Sequence, residues 1–186
     1  LCATILPDTG DLDLVTCLKT LDDWAQIVKR ETDRKMWKFQ RNPCDFENSE
    51  AYFRALVLIT VLQRDLGVHY DVESRSRKEF KSSSEGFIHG LLTGNRAGTC
   101  ANMPVLVADI GRKLGYPIYL VGAKGHTFCR WHSTQTGERF NIEASGRGFS
   151  SSSDEHYMHF PKLITEEEAK HGIYLRDLDP RPWTRN

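Results

Sequence analysis

The chain has no CxxC pair, no net charge, no long apolar run and no internal repeat, and each absence closes off a class of function. Its five cysteines, Cys2, Cys17, Cys44, Cys100 and Cys129, are an odd and scattered set. A disulfide scaffold shows an even count at dense spacing in a smaller chain, so mostly free thiols in a reducing, cytoplasmic compartment are expected. Basic and acidic side chains number 25 each, which leaves no field to attract nucleic acid or an anionic membrane. No apolar stretch approaches the roughly 20 residues that cross a bilayer. The start at Leu1 reads as that of a processed piece, compatible with a signal peptide or flanking domain upstream.

What is present suits one packed core. Hydrophobic residues make up 39% of 186 positions and the aromatics are spread along the chain, which excludes disorder. Residues 11–32 place Leu14, Leu18, Leu21, Ala25 and Val28 at helical spacing. Asn42-Pro43 breaks that pattern, and Ser49 can cap a second helix that runs through Phe53, Leu56, Ile59 and Leu62 to a stop at Gly67. The basic residues at 74–78 read as a solvated loop or helix end. Residues 86–92 suit two turns of helix, and residues 100–114 a buried helix closed by Gly115. Pro104 inside that helix predicts either an irregular first turn around Cys100 or a helix that starts near Asn102. Strand-like runs follow at 118–122, 127–132 and 139–144, the last two joined by a turn at Thr136-Gly137. Thr165 and Glu168 form a capping box for a short helix closed by Gly172, and the tail after Asp179 reads as irregular. The expectation is a single α+β domain over 1–186, with a helical front (about 11–92), a core (about 93–149) and a C-terminal extension (150–186).

Chemistry converges on Cys100, His126 and Glu143. Cys100 sits where the buried helix should begin, and a helix N-terminus or a histidine favours a thiolate. His126 opens a strand after Gly125, and Glu143 ends the next strand across the hairpin. A nucleophile on a helix, a base on a strand and an orienting carboxylate on the neighbouring strand make the logic of a triad. Asn141 is a rival for the third place, because residues two apart leave a strand on one face.

The segments Gly98-Thr99-Cys100-Ala101-Asn102, Gly125-His126-Thr127-Phe128 and Phe140-Asn141-Ile142-Glu143-Ala144-Ser145 together resemble the transglutaminase-like core, and more narrowly its bacterial branch related to SirB1. The resemblance implies a transglutaminase-like, papain-like α+β fold, its helical N-terminal part packed on an antiparallel sheet and its nucleophile at the N-terminus of a buried helix. It implies Cys100 as nucleophile, His126 as base and Glu143 as the acidic third member. The family usually carries aspartate there, often followed by proline, whereas here glutamate precedes Ala144. The implied reaction is acyl transfer or hydrolysis at an amide of a peptide or protein substrate through a Cys100 thioester, with no cofactor. An oxyanion would be met by the Cys100 N–H and an upstream donor, Asn95 or Arg96.

Blander readings accompany these. Cys17 and Cys129 suit small core packing, and His69, His89 and His171 suit surface or satisfied core positions. The fold can also serve as a non-catalytic protein-binding domain. His126, Cys129 and His132 have the spacing of a metal site on a helix, but on a strand Cys129 points away from both histidines. His156 and His159 beside Asp154 and Glu155 form a second, weaker metal pattern.

Overall fold

The computed structural model describes residues 12–76, 80, 82–172 and 174–178. Cys2, Arg77, Lys78 and the tail after Asp179 lie outside them.

Helix α1 spans Leu14–Arg41, capped by the Asp13 carboxylate, which accepts from the Thr16 N–H at 3.0 Å. It runs nine residues beyond the apolar stripe read from sequence. Lys29–Asp33 and Glu31–Arg34 pairs line its exposed side, while Met36 and Phe39 still pack on the core and Phe39 stacks on Phe53 at 5.9 Å. Helix α2, Glu50–Thr60, begins at the expected Ser49 cap and continues into a π-helical turn, Val61–Asp65, before Gly67 at φ 73°. A two-residue strand β1, His69–Tyr70, pairs in parallel with β2, Ala97–Gly98. Between them lie the short helices α3, Ser83–Gly86, and α4, His89–Thr93, where one helix over 86–92 was expected.

Helix α5 is Met103–Lys113. It begins after Cys100, so the second reading of Pro104 is the correct one: the proline sits in the first turn, where its missing N–H has no helical partner to lose. Strands β3 (Ile118–Ala123), β4 (His126–His132) and β5 (Arg139–Ile142) form an antiparallel meander. Helices α6 (Asp154–His159) and α7 (Glu166–His171) follow, and β6 (Asp177–Leu178) returns to pair with β3, giving the sheet order β5-β4-β3-β6. The capping box at Thr165 forms as read.

Alternate residues of the sheet feed two apolar layers. Ile118, Cys129, Trp131 and Ile142 join α1, α2 and α5 in the larger core. Val121, Ala123 and Phe128 pack on the opposite face with Tyr157 of α6 and Ile164. The chain is thus an α+β fold with its helical N-terminal part against one face of an antiparallel sheet.

Candidate active site

Three tight local structures bring the candidate residues together. Cys100 lies in a turn just ahead of α5, half-buried, and the Thr99 carbonyl accepts from the N–H groups of Asn102 and Met103. The fully buried Asn102 shapes this turn. Its Oδ1 accepts from the Thr99 N–H at 2.8 Å, and its Nδ2 donates to the carbonyls of Glu85 and Phe87. Gly98 is required here by close approach, since a Cβ would stand 2.5 Å from Met103 Cγ and 2.8 Å from Leu91 Cδ2. His126 follows the two-residue β3–β4 turn, in which Gly125 takes φ 82°. Glu143 lies one residue past β5.

His126 Nε2 and Glu143 Oε2 are 2.8 Å apart. The Cys100 thiol lies within interaction range of the His126 ring, and with Nε2 engaged by Glu143 its Nδ1 is the ring atom left for sulfur. The other carboxylate oxygen of Glu143 accepts from the N–H and hydroxyl of Ser145, at 2.9 and 2.7 Å. The Tyr157 hydroxyl donates to Glu143 Oε2 at 3.1 Å. Behind Glu143, Gln63 holds the following loop, donating to the Gly146 carbonyl and accepting from the Gly148 N–H.

The electrostatics follow from these contacts. The interaction with His126 draws the Cys100 thiol below its ordinary value against the opposing effect of burial. Burial opposes charge on His126, but its interactions with Cys100 and Glu143 win and raise it to about 9. Burial likewise opposes charge on Glu143, and the donors from His126 and Ser145 overcome it and hold the carboxyl at about 2. All three shifts favour moving the thiol proton to imidazole.

Other candidates lie elsewhere. Asn141 does not approach His126, a correction to its place as rival third member. The two side chains do meet the same α6 side of the sheet, but the register sets Asn141 opposite Arg130, four residues along β4 from His126. Asn141 instead accepts from Arg130 Nε and donates to the Ser152 carbonyl and Asp154, each at 2.8 Å. Asn95 and Arg96, expected as oxyanion donors, are also engaged away from sulfur. The Asn95 side chain accepts from the Ala97 N–H at 3.1 Å, while Arg96 donates to the Leu66 carbonyl and lies over the Trp24 ring. Cys129 is fully buried and donates to the Pro104 carbonyl, on the strand face opposite His126, and His132 pairs with Asp177. Among the described residues no three His, Cys, Asp or Glu side chains are placed to hold a metal.

Sequence reasoning passed over Tyr157, Ser145 and the turn-forming role of Asn102. A polar residue just ahead of an apolar helix is a recognisable signal for Asn102. For Tyr157 the sequence carries none, because its part is set by tertiary packing.

No helix among the described residues is long and apolar enough to cross a membrane. No curated protein and no solved structure matches the chain. The family model described as the transglutaminase-like superfamily does match, over residues 16–184. That match takes in the Cys100 turn, the hairpin and the C-terminal segment with Tyr157, and the chain belongs to the transglutaminase-like superfamily.

Proposed function

We propose that the protein is a cysteine-dependent enzyme that cleaves or transfers an acyl group at a peptide or side-chain amide, with Cys100 as nucleophile, His126 as general base and acid, and Glu143 as the group that orients His126. The observation that carries this reading is the His126 ring, paired with Glu143 Oε2 at 2.8 Å while the Cys100 thiol lies within interaction range of the same ring. The thiolate attacks the amide carbonyl and a C–S bond forms. As the tetrahedral intermediate collapses, the C–N bond breaks and the amine leaves with the proton from His126. Water, deprotonated by His126, then releases the acid, or a second amine takes the acyl group. The Cys100 backbone N–H serves the oxyanion in this reading, and the side chains of Asn95 and Arg96 do not.

The reading treats the chain as one domain of the SirB1-related bacterial branch, acting on a peptide or protein substrate in the cytoplasm. The four described cysteines are free thiols, which suits a reducing compartment. Intact-mass spectrometry after incubation with glutamine-containing peptides and a primary amine tests the activity. A thioester on Cys100, cleaved by hydroxylamine and absent in Cys100→Ala, is expected. No adduct, together with a Cys100 that alkylates no faster than the exposed Cys44, would make the chain a non-catalytic binding domain on the same fold.

A further inference from the structure

We propose that Tyr157 is a positioning residue of the triad, its hydroxyl donating to the Glu143 oxygen that His126 also uses and its ring lying against the imidazole. The proposal rests on the catalytic reading of Cys100, His126 and Glu143.

Tyr157 is fully buried, and its ring stacks on Phe128 at 3.8 Å and 7°. The same ring lies 6.0 Å from the His126 ring at 15°, so it spans two side chains on one face of β4. Phenylalanine would fill that layer equally well. The hydroxyl is what needs explaining, since a buried phenol must find an acceptor, and this one finds Glu143 Oε2 at 3.1 Å. Burial and the adjacent carboxylate keep the phenol protonated, so it stays a donor. Tyr157 is anchored independently of the group it touches. Its helix begins at Asp154, whose carboxylate is held by Arg130 at 2.6 Å and by Arg139 at 2.8 Å. The hydroxyl is therefore brought to Glu143 by a separate ion cluster, and it acts on the carboxylate instead of following it.

Ser145 fixes one oxygen of Glu143, and Tyr157 fixes the other and takes up part of its negative charge. That moderates the hold of Glu143 on the imidazolium, which must give up its proton to a leaving amine. Several groups face His126: Cys100 from the turn before α5, Glu143 after β5, and Tyr157 from α6. Phe160, just past α6, lies edge-on to the His126 ring at 6.4 Å with His156 of α6 stacked on it, and Lys162 borders Gly125. Cys129 lies near Glu143 but stays a neutral thiol, because burial pushes it up. Among these, Tyr157 is a hydroxyl donor to the shared oxygen.

The test is an NMR titration of the His126 ring in the full chain. Removing the hydroxyl with Tyr157→Phe leaves Oε2 more basic, so His126 should titrate higher by roughly half a pH unit or more. Protein made with 3-fluorotyrosine, a more acidic and stronger donor, should shift the other way, and Tyr157→Phe in that background should abolish the effect. In turnover, kcat should fall roughly tenfold with KM unchanged. A folded Tyr157→Phe whose His126 titrates unchanged or lower overturns the proposal, the latter showing a loosened site. Should the variant fail to fold, the absence of a downward shift with 3-fluorotyrosine overturns it. The titration needs no turnover, so a failure to form the thioester would count against the catalytic reading and leave this result to stand on its own.

Discussion

Glu143 accepts four hydrogen bonds on two oxygens, and that load decides what its replacement does. Glu143→Gln presents an amide where one oxygen must accept from imidazole, and activity should fall by about 10²–10⁴ in a steady-state assay. Asn141→Ala should leave activity within a few-fold and instead cost about 1–3 kcal/mol in urea unfolding, because it strips a partner from the buried Arg130. Reactivity separates the cysteines. Limiting iodoacetamide at about pH 6.5, followed by peptide mapping, should label Cys100 first, ahead of exposed Cys44 and buried Cys17 and Cys129. The imidazolium also leaves a mark on stability. His126 is raised from 6.5 to about 9, so its contribution is fully present below about 6.5 and is lost as pH rises through the folded value. In the native chain the Cys100 thiol releases a compensating proton, so Cys100→Ser, in which Glu143 alone still raises His126, is the variant whose urea midpoints should decline as pH rises above about 6.5, over a narrower window than the native shift implies. The proposed Cys100, His126 and Glu143 could be read from their order, since His126 opens β4 and the other two stand just outside α5 and β5. Asn141 was a rival because it shares a sheet face with Glu143, and only the register, which sets it against Arg130, takes it from His126, while Tyr157 was invisible because nothing local marks a phenol that will meet a distant carboxylate.

At the scale of elements, the signals that held were local ones. Ser49, the Thr165 capping box and the positive-φ glycines at 67, 115 and 137 stop or start elements where chain stereochemistry demands it. Misses came where distant partners decide. The last turns of α1 are kept by Met36 and Phe39 packing on the core, and β6 is two residues long and exists only against β3. The α6 and β6 segments are fastened to β4 by Arg130, which bonds Asp154 at 2.6 Å and Asp177 at 2.8 Å. Burial disfavours charge on both carboxyls, yet their donors hold them below the ordinary 3.8. Their contribution is therefore present above about 3.8 and disappears as pH falls through the lower folded values. Near pH 3, pepsin should cut around Tyr157 and Leu163 before it reaches α5, and Asp154→Asn with Asp177→Asn should open the same sites to a neutral protease at pH 7. Cleavage that begins in α5 would show that the clamp is not the weak point. The turn ahead of α5 is the other sensitive element. Asn102→Ala removes the acceptor of the Thr99 N–H and one donor from each of the Glu85 and Phe87 carbonyls, and should cost about 1–3 kcal/mol while slowing Cys100 alkylation to the rate of Cys44.

Across the whole molecule, the sheet divides labour between its faces. One face rests on α1, α2 and α5 and positions the sulfur, and the other carries Tyr157 and the Arg130 cluster. Arg130 has 1% of its side chain exposed, and Arg130→Leu removes its bonds to Asp154 and Asp177 while leaving them Arg139, Asn141 and His132, so unfolding free energy should fall by roughly 1–3 kcal/mol in denaturant titration. The proposed triad thus depends on residues from both sides of the sheet and from most of the chain's length. That arrangement has a temporal consequence. Synthesis runs from the N-terminus at about 5–20 residues per second, so Cys100 leaves the ribosome seconds before Glu143, Tyr157 and Asp177 have been made. Until that last segment docks, the nascent chain carries an ordinary, weakly acidic thiol, and a potential nucleophile travels through translation disarmed.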